Sequence, residues 1–270
     1  MRTIAVISRK GGSGKTATAV NLAAALAEAG EPVLVVDLDP QGSATEALGV
    51  RPAGREAFDL MVGTRELGRS AVATQFPGLS LVPSSPWLAT AERTLLGDLT
   101  VSVARSIQRL DRRWSFVIVD CPPSLSFLSV GALAGVHEVI IPVETHAISM
   151  TGVGPVLAEV VRLRGALNPH LDSVRIVPSR TNRTRHSRDI VDELQREYRE
   201  MVTTTQIRES VRIAEAWAAA IPVVAYAPDS NVAHDFRALA REIAHPGSTN
   251  GSGPTGSWWR DLMPLVGAGR

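Results

Sequence analysis

Short apolar runs alternate along the chain with longer stretches of helical periodicity. The runs with the length and β-branched composition of buried strands are residues 3–8, 33–36, 79–82, 116–119, 139–143 and 174–177. Helical spacing is found at residues 16–29, 86–110, 152–164, 187–200 and 231–243, and short helices are expected within residues 42–78. This alternation predicts an α/β fold with a mostly parallel sheet and helices on both faces.

The composition changes near the end of the chain. Residues 246–257 read PGSTNGSGPTGS, which is typical of a flexible linker. We therefore predict one α/β domain over residues 1–245. The linker and a short tail, residues 258–270, follow it.

Bulk properties exclude several classes of protein. Of the 270 residues 44% are hydrophobic, but no apolar run approaches the roughly 20 residues that cross a bilayer. The N-terminus has no signal-peptide pattern, so we expect a cytoplasmic protein. Cys121, the single cysteine, excludes an internal disulfide and a metal site of several thiolates, and we expect it to be a small core residue.

The distribution of basic residues indicates a phosphate site. The net charge is only +1, and among the 28 basic residues the only lysines are Lys10 and Lys15. Both lie in one glycine-rich segment. A compact ammonium on a flexible stem suits such a loop better than a planar guanidinium does.

That segment, residues 9–16, is called the phosphate loop below. With the two residues after it, the loop reads RKGGSGKTAT. It lies directly after a predicted strand and at the start of a predicted helix. Gly11, Gly12 and Gly14 allow backbone N–H groups to face phosphate. We expect Lys15 to reach the β- and γ-phosphates and Thr16 to ligate Mg²⁺. Arg9 stands where the usual pattern has glycine, and a glycine-rich turn without a ligand is the alternative.

Carboxylates follow two of the predicted strands. Asp120 ends the run FVIVD, where an aspartate would hold Mg²⁺ through water. Asp37 and Asp39 end another run, and either could orient the attacking water or contact the metal shell. A single aspartate at a strand end is often a turn or helix cap.

These motifs resemble those of the ParA/MinD group of deviant Walker-A ATPases. The segments are KGGSGKT, VDLDPQGSAT, VIVDCPPSLS and VIIPVETHA, and the similarity to ParA-type partition ATPases runs from about residue 2 to 245. The resemblance implies a Rossmann-like P-loop fold, ATP and Mg²⁺ as cofactors, and ATP hydrolysis by an ATP-dependent sandwich homodimer. It also implies a ParB-like adaptor protein that stimulates hydrolysis.

The resemblance also implies roles for individual residues. Lys10 would reach the phosphates bound by the other subunit, Asp39 would position the water, and Asn182 would lie where adenine is read. The implied nucleotide contacts are Gly11, Gly12, Ser13, Gly14, Lys15, Thr16, Ala17 and Asn182. The implied metal residues are Thr16, Asp39 and Asp120. Arg180 and Arg212 match arginines that hold DNA without sequence preference.

Some positions depart from the family pattern. Ser13 and Ala17 replace valine and threonine, and we expect little effect because both are small. Glu144 and His146 replace glutamine and glutamate, which affects the prediction of partner contacts more than that of the chemistry.

An arginine cluster lies within fourteen residues that contain no acid. Its members are Arg175, Arg180, Arg183, Arg185 and Arg188. Such a cluster is typical of a surface for nucleic acid backbones, and we predict that Arg180, Arg183, Arg185 and Arg212 bind DNA. The alternative is a solvated loop whose charges balance the acids of the next helix.

The tail allows several interpretations. It contains Trp258 and Trp259, but Pro264 interrupts it, and it has too few basic residues for a firm membrane anchor. A disordered or back-packing tail, a partner-docking motif and a membrane contact remain open.

Four functions are compatible with these motifs to different degrees. The first is partition of chromosome or plasmid DNA by a nucleoid-associated ATPase, and the second is positioning of protein cargo by the same DNA-bound dimer. A membrane ATPase for division-site placement is the third. Metabolic and electron-transfer relatives are disfavoured, since iron–sulfur versions need several cysteines.

Overall fold

Eight strands form one sheet in the computed structural model, which describes residues 1–52, 54, 56–61, 70–94, 96–110, 112–145 and 152–245. The strands are β1 Arg2–Val6, β2 Val33–Asp37, β3 Val72–Ala73, β4 Leu79–Val82, β5 Phe116–Asp120, β6 Glu138–Glu144, β7 Ser173–Thr181 and β8 Ile207–Arg208. Their order across the sheet is β3-β4-β2-β5-β1-β6-β7-β8. All pairs are parallel except β3 with β4. The predicted α/β fold with a mostly parallel sheet is confirmed.

Helices cover both faces of the sheet. They are α1 Lys15–Glu28, α2 Ser43–Ala47, α3 Glu56–Met61, α4 Trp87–Thr94, α5 Leu96–Gln108, α6 Phe127–Gly135, α7 Val153–Ala166, α8 Arg185–Tyr198, α9 Val211–Ala218, α10 Val223–Tyr226 and α11 Asn231–Ala244. A 3₁₀ turn, Arg199–Met201, follows α8. The predicted helical stretch 86–110 is divided between α4 and α5, whereas α6, α9 and α10 were not predicted.

The core is divided between the two faces because successive strand residues point in opposite directions. In β1, Ile4 and Val6 pack with α1 and α11, while Ala5 packs on the other face with the apolar sides of α5 to α8. Every residue of β2 and β5 is buried. This two-sided burial explains why the strands read as continuous apolar runs rather than as alternating ones.

Parallel pairing brings the carboxyl ends of the central strands to one edge. Val6 pairs with Asp120 and Asp37 pairs with the same residue from the other side, while Glu144 of β6 pairs with Ser179 of β7. Polar residues that follow these strands therefore meet at one edge, as predicted for a ligand site. The predicted linker and tail lie outside the described residues, and the boundary at residue 245 stays a prediction.

Candidate functional site

The phosphate loop joins β1 to α1 with a backbone shape that depends on glycine. Gly12 and Gly14 have φ values of 77° and 86°, in the left-handed region that other residues rarely adopt. Gly14 is the N-cap of α1 and supplies no side-chain hydrogen bond to the helix. The first N–H groups of α1 are therefore left to an external acceptor, and the helix dipole favours an anion there.

Lys15 is buried next to acidic groups. Only 7% of its surface is exposed, and its ammonium donates a long hydrogen bond of 3.5 Å to the carbonyl of Lys10. Burial lowers the pKa of Lys15, while Asp120 and Asp39 act in the opposite direction. The Ser13 hydroxyl is buried without a hydrogen-bond partner in the described part of the chain. Phosphate oxygens would satisfy both side chains.

Asp120 is a fully buried carboxylate whose two oxygens accept no hydrogen bond of normal geometry from the described residues. Burial raises its pKa well above the usual range, and the neighbouring Asp37 adds to this. The nearby Thr16 hydroxyl and Lys15 ammonium lower it but do not offset burial. A buried carboxylate in this state is suited to the shell of a cation.

The residues present fit Mg²⁺ held together with phosphate rather than by protein alone. No group of three or more His, Cys, Asp or Glu side chains that could hold a metal occurs among the described residues. Thr16 would supply a protein oxygen and Asp120 would hold the ion through water, and Mg²⁺ commonly takes its remaining ligands from water and substrate phosphates. When bound, the ion would neutralise charge that develops on the phosphates.

Asp37 and Asp39 have different surroundings, which separates two residues that the sequence alone left as alternatives. Asp37 is fully buried and accepts hydrogen bonds from the Thr45 amide at 2.8 Å, the Thr45 hydroxyl at 2.7 Å and the Asp39 amide at 3.2 Å. Burial raises its pKa to about 6 despite these bonds. Asp37 therefore organises the loop that follows β2.

Hydrogen bonds hold the backbone of Asp39 at both its amide, which donates to Asp37, and its carbonyl. The Ser84 hydroxyl donates to the Asp39 carbonyl at 2.5 Å, and the Ser84 amide donates to the Thr45 hydroxyl at 2.9 Å. The Asp39 carboxylate accepts from the Gln41 amide at 3.0 Å. Sequence reasoning missed Thr45 and Ser84, although Thr45 lies within the quoted motif VDLDPQGSAT.

Lys10, near the start of the phosphate loop, is paired within its own subunit. Its ammonium donates to Glu144 Oε2 at 2.8 Å. Arg180 donates to the second oxygen, Oε1, at 2.8 Å, and its other amino group reaches Glu209 at 2.9 Å. Two cations with predicted functions, Lys10 and Arg180, thus both pair with Glu144. From the sequence alone, Glu144 stands out only as a departure from the family pattern.

Comparisons with known proteins agree with this site. A family profile described as an AAA domain matches residues 1–173. The chain is 39% identical over 244 residues to the chromosome-partitioning ATPase Soj of Thermus thermophilus, covering 90% of this chain and 95% of that protein. It is 34% identical over 251 residues to the sporulation initiation inhibitor protein Soj of Bacillus subtilis, covering 91% and 99%. The chain belongs to the ParA-type family of partition ATPases.

Solved structures share its architecture. The cobyrinic acid a,c-diamide synthase of Mycobacterium smegmatis, solved with ADP and magnesium, superposes with a TM-score of 0.81 at 30% identity, covering 95% of this chain and 99% of that one. The Rossmann-like P-loop fold is therefore confirmed. The chain is a P-loop ATPase, and ATP and Mg²⁺ are the cofactors that its site fits.

The arginines that we predicted to bind DNA lie at or after the carboxyl ends of β7 and β8, at the same edge. Arg180, Arg183, Arg185 and Arg212 are all exposed. Arg185 lies 3.9 Å from Asp189, and Arg212 contacts Glu215 at 2.7 Å. Nearby acids therefore balance part of the charge of these arginines. The Arg185–Asp189 contact is of the kind that the solvated-loop alternative expected.

Arg175 is not part of that surface, so the predicted cluster was wrong at this position. Only 7% of Arg175 is exposed, and burial lowers its pKa while Glu138 and Glu242 raise it. It lies in β7 opposite Ile140, away from the carboxyl end of the strand.

Three further expectations have different outcomes. Asn182 accepts from the Thr184 amide at 3.0 Å and hydroxyl at 2.6 Å, which shapes the turn before α8, and its adenine contact stays a prediction. Cys121 is fully buried, as expected of a core residue. His146 lies outside the described residues. Within those residues, no helix is long and apolar enough to cross a membrane.

Proposed function

We propose that the chain is a ParA-like ATPase that pairs into a sandwich dimer on binding ATP and then binds DNA without sequence preference. It partitions chromosome or plasmid DNA together with a ParB-like adaptor, in the cytoplasm and on the nucleoid. The observation that carries the proposal is the set of unsatisfied buried groups at the phosphate loop, at Ser13, Lys15 and Asp120, in a member of the partition ATPase family.

Within one subunit, the residues divide into holding and positioning roles. The loop from Gly11 to Ala17 holds the phosphates, with Lys15 neutralising their charge. Thr16 and Asp120 hold Mg²⁺. Asp39 takes the water-positioning role, because its carboxylate has fewer hydrogen-bond partners than that of Asp37 and its backbone is fixed on both sides. Asn182 contacts the adenine.

Lys10 acts between subunits. Its side chain is 42% exposed and its ammonium extends to Glu144. A long flexible ammonium at this edge can leave its ion pair and reach phosphates bound opposite. ATP would thereby connect the two subunits.

DNA binding rests on the exposed arginines. The carboxyl ends of β7 and β8 and the segments after them carry these residues at one edge, so pairing two subunits doubles the basic surface that one duplex meets: Arg180, Arg183, Arg185 and Arg212. Phosphate contacts carry no base information, which accounts for the absence of sequence preference. Positioning of protein cargo by the same dimer remains an alternative use of this surface.

Amide synthesis, the activity named for the Mycobacterium smegmatis structure, has less support. The only cysteine, Cys121, is fully buried. Burial raises the pKa of its thiol, and the negative charge of the neighbouring Asp120 raises it further. The one thiol of the sequence is therefore buried and disfavoured as a thiolate, so it offers amide chemistry no accessible nucleophile.

A salt titration of DNA binding tests the proposal. Wild-type protein is measured with ATP, ADP and no nucleotide on two unrelated duplexes. We expect tight binding only with ATP, a steep loss of affinity with salt because counterion release drives such binding, and equal affinity for both sequences. Equal binding in all three nucleotide states would contradict the proposal.

Charge reversals assign the surface. Arg183→Glu and Arg212→Glu should each weaken DNA binding and leave ATP-dependent dimerisation intact. Arg162→Glu is the matched control, since Arg162 is an exposed helical arginine paired with Glu159 and lies outside the predicted DNA surface. Tight binding to anionic liposomes with none to DNA would instead support the membrane ATPase.

A further inference from the structure

Glu144 is a nearly buried carboxylate that holds two cations at once. It is the last residue of β6, and its side chain is 11% exposed. One oxygen accepts from Lys10 and the other from Arg180, each at 2.8 Å. A carboxylate taken this far out of water needs such partners, because an uncompensated buried charge is costly.

Both cations are needed elsewhere in the proposed function. Lys10 has to cross to the other subunit, and Arg180 has to reach DNA. Arg180 is further restrained by Glu209 at 2.9 Å and by a backbone φ of 53°, a conformation that residues other than glycine rarely adopt. The ion pairs within one subunit therefore oppose both the crossing of Lys10 to the other subunit and the binding of Arg180 to DNA.

We propose that Glu144 is a positioning residue that holds Lys10 back in the nucleotide-free subunit and masks Arg180 from DNA. This inference rests on the proposed function, because it assumes that Lys10 acts across the dimer. Lys10 can leave first, because Arg180 then still pairs with the second Glu144 oxygen and the buried carboxylate keeps one cation during dimerisation. As a consequence, Arg180 contributes less to DNA binding than its exposure suggests.

The size of the restraint is modest. The Lys10 side chain is 42% exposed, so solvent screens its ion pair with Glu144. Pairs of this kind shift an equilibrium by about two- to fivefold. A restraint of that size is small enough for ATP-driven dimerisation to overcome.

The two lysines of the chain make the restraint directly measurable. In protein labelled with ¹³C-lysine, Lys10 and Lys15 give the only lysine signals, and Lys10→Arg assigns them. Without nucleotide, Glu144→Gln should shift and narrow the Lys10 Cε signal. Glu209→Gln is the comparison and should leave it unchanged, because the ion pair that Glu209 forms at 2.9 Å is with Arg180. An unchanged Lys10 signal in Glu144→Gln would overturn the inference, whether or not the protein dimerises.

A functional arm uses the same variants. By light scattering, Glu144→Gln should reach half-maximal dimerisation at an ATP concentration about two- to fivefold lower than wild type, with Glu209→Gln unchanged. Both variants should bind DNA more tightly as dimers, since each releases Arg180. Glu159→Gln controls for the loss of one negative charge. Wild-type dimerisation that Glu144→Gln does not shift overturns the inference alone, whereas failure of wild type to dimerise overturns the proposed function as well.

Discussion

The phosphate loop and the arginine surface lie at the same edge of the sheet but differ in how their polar groups are satisfied. Ser13 and Asp120 are buried without hydrogen-bond partners among the described residues, and Lys15 has one long bond. Arg180 and Arg212, in contrast, are exposed and paired with acids at 2.7–2.9 Å. Unsatisfied buried groups are costly, so they indicate a place where a polar ligand binds. Arginines already paired with acids indicate a surface whose ion pairs must open before the arginines can bind DNA.

The largest effect is expected where the unsatisfied groups meet. Lys15→Gln removes the ammonium that would neutralise phosphate charge, so we expect ATP binding or hydrolysis to fall by on the order of 10²–10³-fold or more. Nucleotide affinity and phosphate release measure this. Hydrolysis near the wild-type rate would remove Lys15 from the site.

The next comparison separates Asp39 from Asp37. Asp39→Ala should still bind ATP but lose hydrolysis by about 10²-fold or more, with accumulation of dimer. Asp37→Ala should instead destabilise the fold by about 1–3 kcal/mol, because it leaves buried donors of Thr45 and Asp39 unpaired. Thermal unfolding and single-turnover kinetics distinguish the two. If Asp39→Ala hydrolyses ATP like wild type, its water-positioning role is wrong.

Some of this site was predictable because it is local in sequence. The phosphate loop follows from a run of glycines between a strand and a helix, and the strand ends locate Asp39 and Asp120. The contacts of Glu144 and Ser84 were not predictable. Glu144 and Lys10 are 134 residues apart, and Ser84 and Asp39 are 45 apart. No local pattern reports such pairings.

The fold shows the same limit. Helix α6, Phe127–Gly135, was missed because its sequence FLSVGALAG has no polar face, so it lacks the periodicity that reveals surface helices. The two-residue strands β3 and β8 are too short to form a pattern. Arg175 was misplaced because a charge in the sequence does not reveal whether its side chain is buried.

A smaller effect is expected for the stability of the protein without nucleotide. Asp120→Asn removes a buried carboxyl group whose oxygens accept no hydrogen bond from the described residues, so the nucleotide-free protein should gain about 1–3 kcal/mol. The same variant should lose the added stability that ATP and Mg²⁺ give to wild type. Differential scanning calorimetry with and without ligand tests both. A destabilised empty variant would contradict the view of Asp120 as an unsatisfied group.

The pH dependence sharpens this expectation. The pKa values of Asp37 and Asp120 are both higher in the folded protein than usual, with Asp37 at about 6. The folded protein therefore binds more protons than the unfolded chain in this range, and its stability should decrease as pH rises through about 6. Asp120→Asn should weaken this dependence, since it removes one of the two carboxyl groups. Thermal unfolding between about pH 5 and 7 gives the comparison.

The central claim, that ATP joins two subunits through Lys10, is tested most directly by the molar mass in solution. Light scattering of wild-type protein with ATP and Mg²⁺ should give twice the mass found without nucleotide. Lys10→Ala should bind ATP with similar affinity and stay a monomer, because its part in the site lies across the interface. A Lys10→Ala dimer indistinguishable from wild type, or a wild-type mass that ATP does not change, would contradict the account.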